Sequence, residues 1–201
     1  MEYLPIRRAI ISVTDKKGLG ELASFLVDRG VELVSTGGTM KAIAQAGIPV
    51  TPVSDVTGFP EILGGRVKTL HPKIHGGILA SKDNGEHMET IASMDIAAFD
   101  LVCVNLYDFS SAVERQLSLE QAVEEIDIGG PCMLRAAAKN YHSVLTLPDP
   151  QWYAPAMEEM KTRERETGQI QVSLEYRQLM ACRAFDATSR YDALISSYLR
   201  P

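Results

Sequence analysis

The sequence predicts an α/β fold in which a parallel sheet is covered by helices. Short apolar segments typical of buried strands alternate with segments of helical periodicity, and the turns between them are short. The chain has 201 residues, 45% of them hydrophobic, which is enough to bury one large core. These observations favour one α/β domain with at most an appendage.

Each predicted element follows from a local pattern. The strands are short and rich in Val, Ile and Leu, and the helices place apolar residues three and four positions apart. Gly30 and Gly47 stand where the first two helices should end, because glycine readily adopts the left-handed conformation that closes a helix. The predicted strands are 8–13, 31–34, 101–104 and 144–147, and the predicted helices between them are 18–29 and 40–46.

The pattern changes at Pro148-Asp149-Pro150. Beyond this turn, residues 151–160 and 173–199 have helical periodicity. We therefore predict an α/β core over 1–148 and a helical extension over 151–201, which packs on the core or on a dimer partner.

Composition argues against several classes of protein. The formal net charge of −6 disfavours a general nucleic-acid-binding surface. Cys103, Cys132 and Cys182 are odd in number and form no CxxC pair, which favours reduced thiols over a disulfide framework or a zinc site. No apolar run approaches the ~18 residues of a membrane span, and the first residues lack a signal-peptide pattern. We therefore expect a cytoplasmic protein without a membrane segment.

The segment Ser35-Thr36-Gly37-Gly38-Thr39 is a candidate phosphate site. Its glycines let a ligand approach the backbone, and the start of the following helix offers free N–H groups to an anion. An ordinary strand-to-helix turn with a good N-cap is the alternative. The segment from Ser12 to Lys16 favours phosphate binding, because it follows the first predicted strand and parallel sheets bind ligands at that edge. Lys16 would supply the cation.

Charge is distributed unevenly along the middle of the chain. Residues 62–82 contain four basic side chains and no acid, whereas residues 108–127 contain six acids and one base. A cationic loop on an acidic protein suits an anionic small molecule, and a solvated charged loop is the alternative. His71 and His75 have the spacing of a metal-binding pair, but Pro72 lies between them. We therefore favour a structural turn there and predict no metal site.

Two more segments combine polar residues with predicted elements. Asp127 precedes two glycines and a helix that carries Arg135 and Lys139 on one face. These residues suggest a site, although an acid that caps the helix dipole is the common alternative. Asn105 and Tyr107 follow a buried strand, and Tyr107 taken alone fits a packed aromatic better than a catalyst.

Together these segments resemble one family. Over almost its whole length the chain is similar to the cyclohydrolase half of the bifunctional enzymes that join AICAR transformylase to IMP cyclohydrolase. The segment at 57–79 is the most specific of the motifs. The motifs are SVTDKKG (12–18), STGGT (35–39), TGFPEILGGRVKTLHPKIHGGIL (57–79), NLY (105–107), IDIGG (126–130), LRAAAKN (134–140) and MACRAFDATSRYDALI (180–195).

This resemblance implies both a fold and an activity. The fold is a three-layer parallel-sheet sandwich of the methylglyoxal-synthase-like type with a C-terminal helical extension. The activity is the dehydrative ring closure of 5-formamidoimidazole-4-carboxamide ribotide (FAICAR) to IMP in de novo purine biosynthesis. The enzyme class is that of the cyclic amidine hydrolases, working in the cyclising direction. The resemblance further implies no cofactor, a homodimer, and a separate AICAR transformylase as a candidate partner.

The family's functional residues carry over to matching positions. Lys68 would lie near the formyl oxygen, and Asp127 would orient or deprotonate the carboxamide. Tyr107 and Lys139 would handle the proton on the departing hydroxyl. The remaining positions would be Ser12, Lys16, Thr36, Gly37, Gly38 and Thr39 around the phosphate, Arg66 and Thr69 along the base, and Asn105, which would help to fix the geometry.

The chain departs from the family pattern in two respects. Asp108 follows Tyr107 where the family usually has proline, and nothing in the 201 residues corresponds to the transformylase half. Both a single-function enzyme and a domain excised from a longer protein fit this sequence. Two other functions remain open for this fold: a non-catalytic nucleotide-binding regulatory domain, and a lyase similar to methylglyoxal synthase. The 57–79 segment favours the cyclohydrolase over both.

Overall fold

A central parallel sheet organises the molecule. The computed structural model describes residues 1–107, 109, 115 and 117–200, and within them five strands form a sheet of order β4-β3-β2-β5-β6, parallel throughout. A separate antiparallel pair joins β1 to β7. The strands are β1 Tyr3–Pro5, β2 Arg8–Val13, β3 Glu32–Ser35, β4 Thr51–Pro52, β5 Leu101–Asn105, β6 Leu145–Leu147 and β7 Gln171–Ser173.

Helices cover both faces of the sheet. They are α1 Leu19–Val27, α2 Gly37–Gln45, α3 Val53–Thr57, α4 Pro72–Leu79, α5 Gly85–Ser93, α6 Leu119–Glu124, α7 Gly129–Lys139, α8 Tyr153–Thr167 and α9 Leu174–Tyr198, with 3₁₀ turns at Leu63–Gly65 and Pro150–Trp152. Side chains alternate across each strand, so Ile10 and Ile11 of β2 enter different cores. The core on the Ile11 side includes α1 and α8, and the core on the Ile10 side includes α4, α7 and part of α9. The predicted parallel-sheet α/β fold is confirmed.

The fully buried Arg177 of α9 ties distant parts of the chain together. Its guanidinium donates to the carbonyl oxygens of Val172 at 2.6 Å, Met1 at 2.7 Å and Tyr141 at 2.9 Å. Main-chain carbonyls thereby satisfy a buried charge that would otherwise be costly. The β1–β7 pair that this contact supports was not indicated by the sequence pattern. The division of the chain at 148–151 stays a prediction.

Helix α4 differs from the turn that Pro72 suggested. Proline occupies the first helical turn, where its missing N–H costs nothing. The Nδ1 atom of His71 accepts a hydrogen bond from the Lys73 N–H at 3.1 Å and so caps the helix. Pro72 therefore begins a helix instead of preventing one. Among the helices described, none is both long and apolar enough to cross a membrane.

Candidate active site

A large cleft lies at the carboxyl edge of the sheet. From β2 the chain first builds outward through β3 to β4, and it later returns to add β5 and β6 on the opposite side. Open parallel sheets bind ligands at such a reversal of strand order. The cleft here has a volume of about 850 Å³, which suits a nucleotide-sized ligand. All predicted site residues except Lys139 line it: Ser12, Lys16, Thr36, Gly37, Gly38, Thr39, Arg66, Lys68, Thr69, Asn105, Tyr107 and Asp127.

One end of the cleft is formed by the start of α2. Thr36 is the extended N-cap residue, and Gly37 follows with a left-handed φ of 56°, which glycine adopts without strain. A Cβ placed on Gly38 would lie 3.9 Å from the Lys16 Nζ, so the ammonium stands beside the open backbone. Free N–H groups at a helix start and a nearby cation together form an anion-binding surface.

Asn105 holds the loop that follows β2. Its side-chain oxygen accepts hydrogen bonds from the N–H groups of Thr14, at 2.6 Å, and Asp15, at 3.0 Å. Its side-chain nitrogen donates to the Asp15 carbonyl at 2.8 Å. Asn105 is itself buried at the end of β5. The amide thus shapes the cleft by fixing this loop.

The cationic loop presents Lys68 and Arg66 to the cleft, each paired with a carboxylate. Lys68 Nζ lies 3.1 Å from Glu61 Oε1, and Arg66 Nε donates to Glu124 Oε2 at 3.2 Å. Gly65 has a left-handed φ of 94°, which favours glycine, and a Cβ there would lie 2.6 Å from the Glu61 carboxylate and 2.8 Å from Lys68 Cε. The sequence analysis did not predict that Glu61 and Glu124 pair with these two bases. The Gly64-Gly65 pair was the available signal that side chains pack closely there.

Asp127 lies on the opposite wall, before α7. Its Oδ1 accepts a hydrogen bond from the Gly130 N–H at 2.9 Å. Burial raises the pKa of the Asp127 carboxyl, while the N–H groups of Gly130 and Gly129 and the charge of Lys68 oppose that shift. A Cβ on Gly129 would lie 2.7 Å from Thr69 Oγ1, which places the cationic loop against this wall. The carboxylate thus caps a helix and faces a cleft lysine.

The two remaining predicted catalytic residues are placed differently. Tyr107 is half exposed and lines the cleft just beyond β5. Lys139 is exposed at the far end of α7, about 15 Å along the helix from its start, and does not line the cleft. This chain's own fold therefore does not bring Lys139 to Asp127, and its predicted role stays untested. Asp108 lies outside the described residues.

Comparison with known proteins identifies the family. Residues 18–132, more than half of the chain, match the family described as the MGS-like domain. The chain belongs to the MGS-like family. Residues 137–201 match a second family, described as the AICARFT/IMPCHase bienzyme. The resemblance seen in the sequence is confirmed.

Individual relatives agree with both family matches. The chain is 52% identical over 200 residues to the bifunctional purine biosynthesis protein PurH of Rhodospirillum rubrum. It is 50% identical over 196 residues to PurH of Ruminiclostridium cellulolyticum. Each alignment covers 37% of the relative, so the chain spans little more than a third of the length of these curated proteins. The crystal structure of ForH is 33% identical, with a TM-score of 0.78 covering 95% of this chain and 97% of that one.

The MGS-like segment supplies most of the cleft, and the bienzyme segment supports it. Residues 18–132 include the start of α2, the cationic loop and Asp127. Residues 137–201 include α8 and α9, where Tyr191 contacts the main chain of Asp127. The helical periodicity of residues 173–199 gave no signal for this contact. In the part of the chain that the structure describes, no three His, Cys, Asp or Glu side chains are grouped as a metal site.

Proposed function

We propose that the chain is an IMP cyclohydrolase that closes the second ring of FAICAR to give IMP and water. The observation that carries the proposal is that one cleft joins a helix start with free N–H groups, a lysine and a partly buried carboxylate. Those three groups match the three chemical parts of this substrate: its 5′-phosphate, its formyl oxygen and its carboxamide. The names of the relatives, bifunctional purine biosynthesis proteins, support the same proposal.

The phosphate is proposed to bind at the start of α2. Lys16 and the N–H groups of Gly37 and Gly38 would neutralise and hydrogen-bond its oxygens. The ribose and imidazole would then extend along the cleft towards Lys68 and Asp127. Because ring closure is unimolecular, holding the two reacting groups in contact supplies much of the rate.

The chemical step forms one carbon–nitrogen bond and releases water. The carboxamide nitrogen attacks the formyl carbon, and the formyl oxygen becomes negative as that bond forms. Lys68 would stabilise this oxygen, and Asp127 would accept the proton that the carboxamide loses. The water formed carries the formyl oxygen, one carboxamide proton and one proton of the formamido nitrogen. Tyr107 lines the cleft and would deliver a proton to the departing oxygen, whereas Lys139, the predicted second donor, does not line the cleft.

The raised pKa of Asp127 supports the role of base. A carboxylate of ordinary pKa holds a proton weakly at neutral pH, whereas burial makes the ionised form a better acceptor. The charge of Lys68 opposes the shift and favours the ionised form of the carboxylate. The proposal also includes the predicted homodimer, the cytoplasmic location and the supply of FAICAR by an AICAR transformylase.

A direct assay tests the proposal. Purified protein is mixed with FAICAR, and IMP formation is followed by absorbance and confirmed by chromatography. We expect rapid formation of IMP and no conversion of a triose phosphate to methylglyoxal. Methylglyoxal formation would favour the lyase alternative. Nucleotide binding without conversion of either substrate would favour a regulatory domain.

A further inference from the structure

Tyr191 is a buried aromatic residue of α9 that reaches the back of the cleft wall. Its ring meets Phe109 edge-on, with centroids 6.5 Å apart and an interplanar angle of 80°. The two rings and Ala122 form a small apolar cluster, against which Ile126 packs. This cluster lies behind α6 and the segment that carries Asp127.

The hydroxyl of Tyr191 makes one specific contact with that segment. The main-chain N–H of Asp127 donates to Tyr191 Oη at 2.7 Å, across 64 residues of sequence. The side chain of Asp127 is held separately, because its Oδ1 accepts from the Gly130 N–H. Asp127 is therefore fixed at two points, its main chain by α9 and its carboxylate by α7.

We propose that Tyr191 is a positioning residue for Asp127, and that α9 thereby sets the place and the solvent access of the carboxylate in the cleft. This inference rests on the proposed function of Asp127 as the base. An error of about 1 Å in the placement of a reacting group can cost on the order of 100-fold in rate. A short hydrogen bond from the Asp127 N–H to the hydroxyl of a packed ring is suited to prevent such an error.

The charged groups around the hydrogen bond between Asp127 and Tyr191 affect the pKa of both residues. Lys68 faces Asp127 from the cationic loop, and Glu125 and Asp192 lie near the Tyr191 hydroxyl. Burial raises the pKa of Tyr191, so its hydroxyl stays neutral over the working range of the enzyme. Loss of the hydroxyl would free the Asp127 segment and admit water. The pKa of the Asp127 carboxyl should then fall towards its ordinary value.

The same helix provides a matched control. Tyr198 packs edge-on against Phe109 with centroids 5.4 Å apart, and its hydroxyl donates to the Leu117 carbonyl at 3.2 Å. Tyr198→Phe therefore removes one hydroxyl and one hydrogen bond from the same cluster, while the bond to the Asp127 N–H is kept. Any difference between Tyr191→Phe and Tyr198→Phe reports on Asp127 more than on the stability of α9.

The test combines two measurements on the whole chain. Aspartate labelled with ¹³C at the carboxyl carbon gives the titration of Asp127, assigned by the resonance that Asp127→Asn removes. FAICAR kinetics over a range of pH give kcat and KM. In Tyr191→Phe we expect a lower Asp127 pKa, an acidic limb of kcat moved to lower pH, and kcat reduced on the order of tenfold. KM should change by no more than about twofold, since the phosphate end of the cleft is untouched.

The outcomes separate this inference from the proposed function. If the wild type fails to convert FAICAR, the proposed function is wrong, and the carboxyl titration still decides whether Tyr191 positions Asp127. If the wild type is active but Tyr191→Phe matches Tyr198→Phe in kcat and in the Asp127 titration, the positioning role is overturned. Circular dichroism of both variants shows that each comparison is made on folded protein.

Discussion

The hydroxyl of Thr39 accepts a hydrogen bond from the Val13 N–H at 2.9 Å and donates one to the Val13 carbonyl at 2.8 Å. Val13 ends β2, and Thr39 lies in the first turn of α2. Both are buried, so this pair fixes the anion-binding helix start against the edge of the sheet. The proposed phosphate role of Thr39 would therefore depend on its backbone position, because Val13 already engages its hydroxyl.

Thr39→Val should weaken phosphate binding indirectly. The valine leaves both the N–H and the carbonyl of Val13 without this partner, which should cost about 1–3 kcal/mol of stability. The start of α2 would shift, and IMP should bind less tightly in calorimetry. Thr39→Ser keeps the hydroxyl and is the control. Equal IMP affinity in Thr39→Val, Thr39→Ser and wild type would contradict the role assigned to this pair.

Lys16→Ala should reduce binding of IMP without affecting binding of inosine. Lys16 lines the cleft beside Gly38, so its charge acts on a phosphate and has nothing to neutralise in a nucleoside. Lys17→Ala removes an adjacent exposed charge that does not line the cleft, and it should leave the affinity for IMP near that of the wild type. Calorimetry with both ligands measures the difference. A wild type that binds inosine as tightly as IMP would show that this surface holds no phosphate.

Lys68→Ala should lower kcat by about 100-fold or more while IMP binding changes little. A charge that stabilises a developing oxyanion acts mainly in the transition state. Lys73→Ala is the matched control, since Lys73 belongs to the same cationic segment but lines a different, smaller pocket. Steady-state kinetics with FAICAR give the comparison. Near wild-type kcat in Lys68→Ala would remove Lys68 from the reaction.

Asp127→Asn should abolish most turnover without destabilising the protein at neutral pH. Asparagine can still accept the hydrogen bond from Gly130, but it cannot take up a proton. Asp149→Asn is the control, because Asp149 accepts from the Gln151 N–H at 2.9 Å and also caps a helical turn, outside the cleft. If Asp127 were only a cap, both substitutions would leave kcat unchanged.

The difference in stability between the wild type and Asp127→Asn should also depend on pH in a defined direction. The pKa of Asp127 is higher in the folded chain than in the unfolded chain, so ionisation at neutral pH disfavours the folded state. The wild type should gain stability relative to Asp127→Asn as the pH falls from neutral through the folded pKa. The gain should be complete below the ordinary value of about 3.9. Thermal unfolding midpoints of both proteins across that range measure it.

Periodicity determined the secondary structure of the cleft strands, because each strand is a short buried run bounded by a glycine or a polar turn. The strands predicted at 8–13 and 101–104 agree with β2 Arg8–Val13 and β5 Leu101–Asn105. The hydrophobic pattern was less informative where tertiary contacts decide whether a strand forms. The strand β7 Gln171–Ser173 exists because Arg177 and β1 hold it, and neither contact leaves a local signal.

The sequence by itself determined the α/β class, the family and the residue types of the cleft, since these follow from local pattern and motif. Tertiary structure alone decided which of those residues meet. It joined Lys68 to Glu61, left Lys139 outside the cleft, and set Tyr191 against the main chain of Asp127. The physical reason is that such contacts depend on how a loop folds back on itself and on how elements far apart in the chain pack together. Spacing along the sequence carries no record of that packing.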